Sequence, residues 1–155
     1  MGGMNEVTAP SDLPPSDLET EAKVKDLCHL LETKFPQADV KTEQFLHAGM
    51  YVRTCSHPKG SLLVGAKIKI PTVLIIDGDV SIKSGGKWMR IQGHAVLRGA
   101  PGRRVIVLTH EDTVATMLFP TDAKTVEEAE EQFTDEFNEL YTRKHQWPDS
   151  LPQQS

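Results

Sequence analysis

Apolar positions recur along this 155-residue chain at spacings that change twice. From residue 16, Val24, Leu27, Cys28, Leu31 and Phe35 return at helical intervals, Ser16 and Glu19 have the form of a capping box, and Pro36 halts the pattern. The spacing predicts an amphipathic helix over 16–34, in a unit that closes at residue 35, with Glu19, Glu21, Asp26 and Glu32 on its polar face. From about residue 40 to 119 the period shortens to apolar runs rich in Val, Ile and Leu. Turn signals separate them at Ala48-Gly49, Pro58-Lys59-Gly60, Asp77-Gly78-Asp79, Ser84-Gly85-Gly86, Gly99 and Pro101-Gly102. Strands are expected at 43–46, 49–55, 62–69, 72–76, 79–83, 87–91, 94–98, 104–109 and 113–119, the pattern of an antiparallel sandwich or small barrel occupying 36–121. The plainest hairpin is at Gly85-Gly86, because glycine reaches the positive φ angles of a two-residue turn.

After Pro120 the helical period returns. Val126, Ala129, Phe133, Phe137 and Leu140 line one face and Glu127, Glu128, Glu130, Glu131, Glu136 and Glu139 crowd the other. The expectation is one acidic amphipathic helix over about 125–143, within a unit 122–144, whose apolar stripe covers the barrel or a neighbour. Residues 1–15, with Pro10, Pro14 and Pro15, read as an extended arm without a core of its own. The polar tail 145–155 offers Trp147 as an anchor.

Charge adds a second pattern. The net charge is -5, but residues 51–110 hold ten Lys or Arg against two Asp or Glu, while the flanks are acidic. A basic middle between acidic ends has two readings. Acidic helices can neutralise a basic sheet within or between subunits, or the field can attract an anionic ligand such as a nucleotide. Nucleic acid is disfavoured as a partner, because the whole chain is acidic and aromatics do not interleave with the basic residues. No segment has the run of apolar residues that a membrane span requires, and Met1 to Leu13 contain no readable export or mitochondrial address, so the expected location is cytoplasmic. Two cysteines, Cys28 and Cys55, suit packed thiols rather than a disulfide scaffold.

The order helix, barrel, helix, with Gln44-Phe45-Leu46-His47-Ala48-Gly49-Met50-Tyr51-Val52-Arg53, Ile76-Asp77-Gly78-Asp79-Val80, Ala100-Pro101-Gly102-Arg103-Arg104 and His110-Glu111-Asp112-Thr113, resembles small cupin-like proteins of tailed bacteriophages and prophages over about residues 36–133. The resemblance implies a mainly β, double-stranded β-helix (jelly-roll) barrel with flanking N-terminal and C-terminal helices. It also implies a homo-oligomer, with other phage proteins as partners and association with a virion. Metal-dependent cupins place histidines and a glutamate at positions that fall near Gly65, Lys67 and Pro71 when Gly78 is taken as the closing glycine, and a further histidine at Val105. None of these residues is a metal ligand, and a cationic Lys67 would oppose a divalent ion. The expectation is therefore a protein without metal or other cofactor.

The residues with chemistry are few. His110 with Asp112 is the weak catalytic candidate, since adjacent strand residues alternate and would leave Glu111 on the opposite face; the plainer reading is a hydrogen-bonded turn. His47, His57 and His94 lack ligand spacing. Lys67, Arg90, Arg98, Arg103 and Arg104 are the candidates for binding an anion, with Arg103-Arg104 able to present a guanidinium fork; salt bridging to the acidic helices is the competing role. These observations favour a non-enzymatic structural or interaction protein that oligomerises through barrel and helices. An accessory protein that binds or sequesters a small nucleotide-like anion is the alternative, and a cupin-type enzyme the third.

Overall fold

A computed structural model describes residues 12–34 and 39–144. The expectations for residues 1–11, for Phe35 and Pro36, and for the tail from 145 lie outside that range.

The described chain runs β1 (Asp12–Leu13), α1 (Leu18–Lys34), β2 (Lys41–His47), β3 (Met50–His57), β4 (Leu62–Val64), β5 (Thr72–Ser84), β6 (Lys87–Gly99), β7 (Ile106–Thr109), β8 (Thr113–Pro120), α2 (Val126–Phe133), a single 3-10 turn (Phe137–Glu139) and α3 (Tyr141–Lys144). The strands form one sheet in the order β1-β6-β5-β8-β3-β2, with β7 pairing β5 and β4 pairing β7. All pairings are antiparallel except β1 with β6.

The hairpin β5–β6 is the spine. Its turn is Gly85-Gly86, at φ +59° and +80°, between the paired Ser84 and Lys87. Both strands are thirteen residues long. The turn expected at Asp77-Gly78-Asp79 is instead the middle of an unbroken strand, so the segments expected at 72–76 and 79–83 are one element, as are those at 87–91 and 94–98. Gly78 marks where β5 changes partner: Val73–Asp77 pair with β8, and Val80–Lys83 pair with β7. A Cβ at Gly78 would lie 2.7 Å from Thr113 Cβ and 2.8 Å from its Cα, so only glycine permits β8 to leave the spine there.

Inward residues of both halves share a core. Ile76, Val80, Ile82, Ile91, Ala95 and Leu97 are buried together with Leu13, and Val105, Val107 and Ala115 pack on them. The arm therefore differs from the expected coreless segment at its end: Leu13 is fully buried, its carbonyl accepts from Ala100 N at 3.0 Å, and Ser84 Oγ donates to Pro14 O at 3.2 Å. A second cluster joins Tyr51, Met117 and Phe119 of the sheet to Ala129, Phe133 and Leu140. The rings of Tyr51, Phe119 and Phe133 sit 5.1, 5.8 and 6.1 Å apart, distances at which aromatic pairs attract beyond simple area burial.

The helices depart from their expected form. Residue α1 Thr20 is buried and bonded to Asp17, but Val24, Leu27, Cys28 and Leu31 are only half-buried, and Leu18 and Leu30 are exposed. The acidic helix expected over 125–143 breaks at Thr134, whose extended φ of -152° ends α2, and resumes only as the 3-10 turn and α3. Glu130, expected on the polar face, is 2% exposed. It lies four residues after Val126 and three before Phe133, on the stripe that packs on the sheet.

Candidate functional site

The basic residues of the middle segment divide by what meets them. Arg104 starts where the chain leaves the Pro101-Gly102 turn, and its side chain is 6% exposed. Its Nε donates to Glu21 Oε2 of α1 at 2.8 Å, and its Nη1 donates to Gly65 O at 3.0 Å and to Glu136 Oε1 at 2.9 Å, while Nη2 bonds Glu136 Oε2. One guanidinium thus clamps the first turn of α1, the β4 end and the segment after α2 to one another. Burial works against the Arg104 charge, but the hydrogen bonds to Glu136 and Glu21 outweigh it and hold the pKa above its ordinary value. In return Arg104 holds both carboxyls below the usual glutamate range.

Lys67 and Lys69 flank this clamp. Lys67 Nζ lies 3.6 Å from Glu21, and Lys69 Nζ donates to Asp135 at 2.7 Å. A cleft of about 300 Å³ lies beside them, lined by Lys67, Lys69, Gly102, Asp135 and Glu136. Arg90 makes a two-pronged bond to Asp79 at 2.9 Å on both oxygens, and Arg98 reaches Asp12 at 2.8 Å. The five candidate anion ligands do not gather at one place: Lys67 and Arg104 share Glu21, whereas Arg90 and Arg98 stand apart along β6.

Arg103 differs from the rest. It is 3% exposed, and its Nη2 donates to Thr72 Oγ1 at 2.6 Å and contacts Met117 Sδ at 3.6 Å, while Nη1 reaches Ala100 O at 3.4 Å. Among the described residues no carboxylate pairs with it, and burial lowers its pKa to about 10. Gly99 makes room for it: a Cβ there would lie 2.5 Å from the guanidinium carbon.

A buried polar knot that sequence reasoning missed sits under α2. Glu130 accepts from Arg143 Nε at 2.7 Å and Thr142 Oγ1 at 2.7 Å, and Arg53 lies 3.4 Å from it. Arg53 Nη1 also reaches Tyr51 OH and Gln44 Oε1, and its guanidinium rests 5.7 Å from the Phe133 ring centre. Burial pushes the Tyr51 phenol up to about 12, so it stays protonated and donates to Gln44 at 2.6 Å. The available signal was the helical position of Glu130 among apolar neighbours.

His110, Glu111 and Asp112 lie in the β7–β8 connection, where strand alternation does not operate. His110 and Asp112 do not meet. His110 Nε2 is 2.7 Å from Ser81 Oγ, while Asp112 Oδ1 accepts from Lys59 N at 2.8 Å and Glu111 lies 3.7 Å from Lys59 Nζ. His57 is buried, its Nδ1 has no hydrogen-bond partner, and burial lowers its pKa. His47 and His94 are exposed. Among the described residues no group of three or more His, Cys, Asp or Glu side chains is placed to hold a metal ion. Cys28 and Cys55 form no disulfide. None of the described helices is long and apolar enough to cross a membrane.

No protein-family model matches the chain, and no curated protein matches its sequence. Among solved structures the chain is similar to the cupin domain of Schizosaccharomyces pombe Cnp3, at 15% identity and TM-score 0.45 over 59% of this chain and 72% of that one. It is similar to a Cupin_2 domain of an XRE family transcriptional regulator from Enterobacter cloacae, at 12% identity and TM-score 0.43 over 52% and 97%. It also resembles salicylate 1,2-dioxygenase from Pseudoaminobacter salicylatoxidans, at 10% identity and TM-score 0.47, over 74% of this chain but only 34% of that one. Names of enzymes and of domains from regulators stand side by side at this level of likeness, which fixes neither an activity nor a partner.

Proposed function

We propose that this chain is a non-enzymatic, cupin-like structural or interaction protein of the phage type, cytoplasmic in a bacterial host or virion-associated, that self-associates and docks on other phage proteins. The observation that carries the reading is where the basic residues of the barrel lead. Arg104, Lys67, Lys69 and Arg98 each engage carboxylates of the arm, α1 or the segment after α2, so the uneven charge holds the flanking pieces on the sheet. Light scattering coupled to size exclusion tests it: an assembly larger than the 17.2 kDa chain is expected, and a strict monomer at every concentration overturns it.

The cleft beside Lys67 and Lys69 favours a second reading, an accessory protein that takes a small anion by displacing Glu21 from Lys67 and Asp135 from Lys69. Thermal shift with a nucleotide series separates the two. A midpoint that climbs with ligand concentration, and no longer does so in Lys67→Ala, supports the second reading; a flat response removes it.

A further inference from the structure

His57 closes β3, and its place in the fold is unusual for an ionisable side chain. It is 7% exposed and turned inward with Tyr51 and Arg53 of the same strand, and its Nδ1 has no hydrogen-bond partner. It also stands where the two halves of the sheet part. Its register partner is Thr113, the first residue of β8 and the one packed on Gly78, where β5 exchanges β8 for β7. The Thr113 hydroxyl is engaged elsewhere: it donates to Glu111 O at 3.0 Å and accepts from Asp79 N at 3.3 Å.

The chain next to His57 ties this end of the barrel together. In the β3–β4 turn, Pro58 O accepts from Thr109 Oγ1 at 2.7 Å, and Ser61 N donates to that same hydroxyl at 2.8 Å. Gly60 N donates to Thr109 O and Thr109 N to Ser61 O, both at 3.0 Å, while Lys59 N donates to Asp112 Oδ1 at 2.8 Å. The turn, the end of β7 and the β7–β8 connection are thus closed on one another, with the imidazole beneath them.

We propose that His57 is an acid-operated release for this end of the barrel: when the ring gains a proton, the β3–β4 turn parts from β7 and the β7–β8 connection, and the imidazolium reaches water. A neutral imidazole packs in such a site with one nitrogen unmet, whereas an imidazolium brings a full charge and two N–H donors. Nothing around it is free to receive them. β4, β7 and β8 carry no ionisable side chain. Lys41 of β2 and Asp77 of β5 are exposed on the outer face, Asp79 is held by Arg90, His110 meets Ser81, and Lys59 lies 3.7 Å from Glu111. Cys55, two residues back on β3, contacts Thr42 at 3.5 Å. Burial alone acts on the ring and disfavours its charged form.

The sign follows from linkage. The closed state binds the proton less readily than the open one, so closure is at full strength above the ordinary imidazole value of 6.5 and weakens as pH falls toward the lowered value of the buried ring. One extra proton in the open state raises the open population about tenfold per pH unit across that window. The carboxylates on Arg104 respond only below their ordinary 4.5, so the two acid effects are separable.

Hydrogen exchange on the full-length protein, expressed as protection factors, tests the release between about pH 7.5 and about pH 5. The amides of Lys59, Gly60, Ser61 and Thr109 are expected to lose protection by about tenfold per pH unit once below 6.5, while Ile68 and Gly102, bonded beside Arg103, keep theirs. His57→Leu is expected to abolish the pH dependence, and His94→Gln, an exposed site on the outer face, to retain it. The ring resonances of wild-type His57 give a reading that needs no variant, with a titration midpoint expected below 6.5. A midpoint at or above 6.5, protection lost equally at Ile68 and Gly102, or a folded His57→Leu with the wild-type profile would each overturn the proposal.

Discussion

Arg104 is the residue whose loss should be felt most widely, and its effect can be worked from the structure. Arg104→Met keeps the length and apolar stem but removes bonds to Glu21, Glu136 and Gly65 O. Breaking a fully buried ion pair from one side costs about 3–5 kcal/mol because the remaining charge is stranded. Here the glutamate side chains are 24% and 36% exposed and recover part of their hydration, so the expected loss is about 2–4 kcal/mol, or roughly 5–12 °C in Tm for a chain of this size. Urea unfolding followed by circular dichroism measures it, and limited proteolysis should cut first within α1, which has few other buried anchors. The pH dependence is a second, independent reading. Both carboxyls titrate below their ordinary value of 4.5 in the folded protein. The stabilisation is therefore complete above about pH 4.5 and is lost as pH falls through the lowered folded values. Wild type should lose stability steeply in that acid window, and Arg104→Met should lose less. A variant within about 1 kcal/mol of wild type, or one keeping the full acid slope, would refute the clamp.

Three further expectations concern single sites. Arg103→Met should unfold within about 1 kcal/mol of wild type or be more stable, because a pKa near 10 instead of 12.5 corresponds to about 3 kcal/mol of charge burial against which the bonds to Thr72 and Ala100 are set. A loss above about 3 kcal/mol in chemical denaturation would contradict that balance. Gly78→Ala should cost more than about 2 kcal/mol, because the new methyl meets Thr113 backbone and Cβ that cannot swing away; an unchanged urea midpoint would show that β8 does not approach as described. Ala48→Gly should stabilise by about 0.5–1 kcal/mol, since Ala48 holds φ +53° beside Gly49 at +74° in the β2–β3 turn; a lower Tm would count against the strain.

How much of this was readable beforehand depends on the range of the interaction involved. The helical period from Val24 to Leu31, the strand-rich middle and the Gly85-Gly86 hairpin follow from local rules, because spacing and backbone freedom are properties of neighbouring residues. Asp77-Gly78-Asp79 has the composition of a turn, and only the approach of Thr113 from thirty-five positions away explains the glycine inside a straight strand. The alternation argument that set His110 and Asp112 on one side does not apply, for a related reason: alternation holds along a strand, and these residues occupy the hydrogen-bonded connection between two.

The sequence by itself determined that acidic flanks surround a basic middle and that Gly65, Pro71 and Val105 carry no metal-binding side chains. Tertiary structure alone decided which acid meets which base. It buried Glu130 with Arg53 and Arg143, left Arg103 among neutral acceptors and tied Glu21 and Glu136 to one guanidinium. Coulomb attraction is blind to sequence distance, whereas desolvation depends on which surfaces the whole sheet covers, so partners and burial emerge only when the strands have found their register.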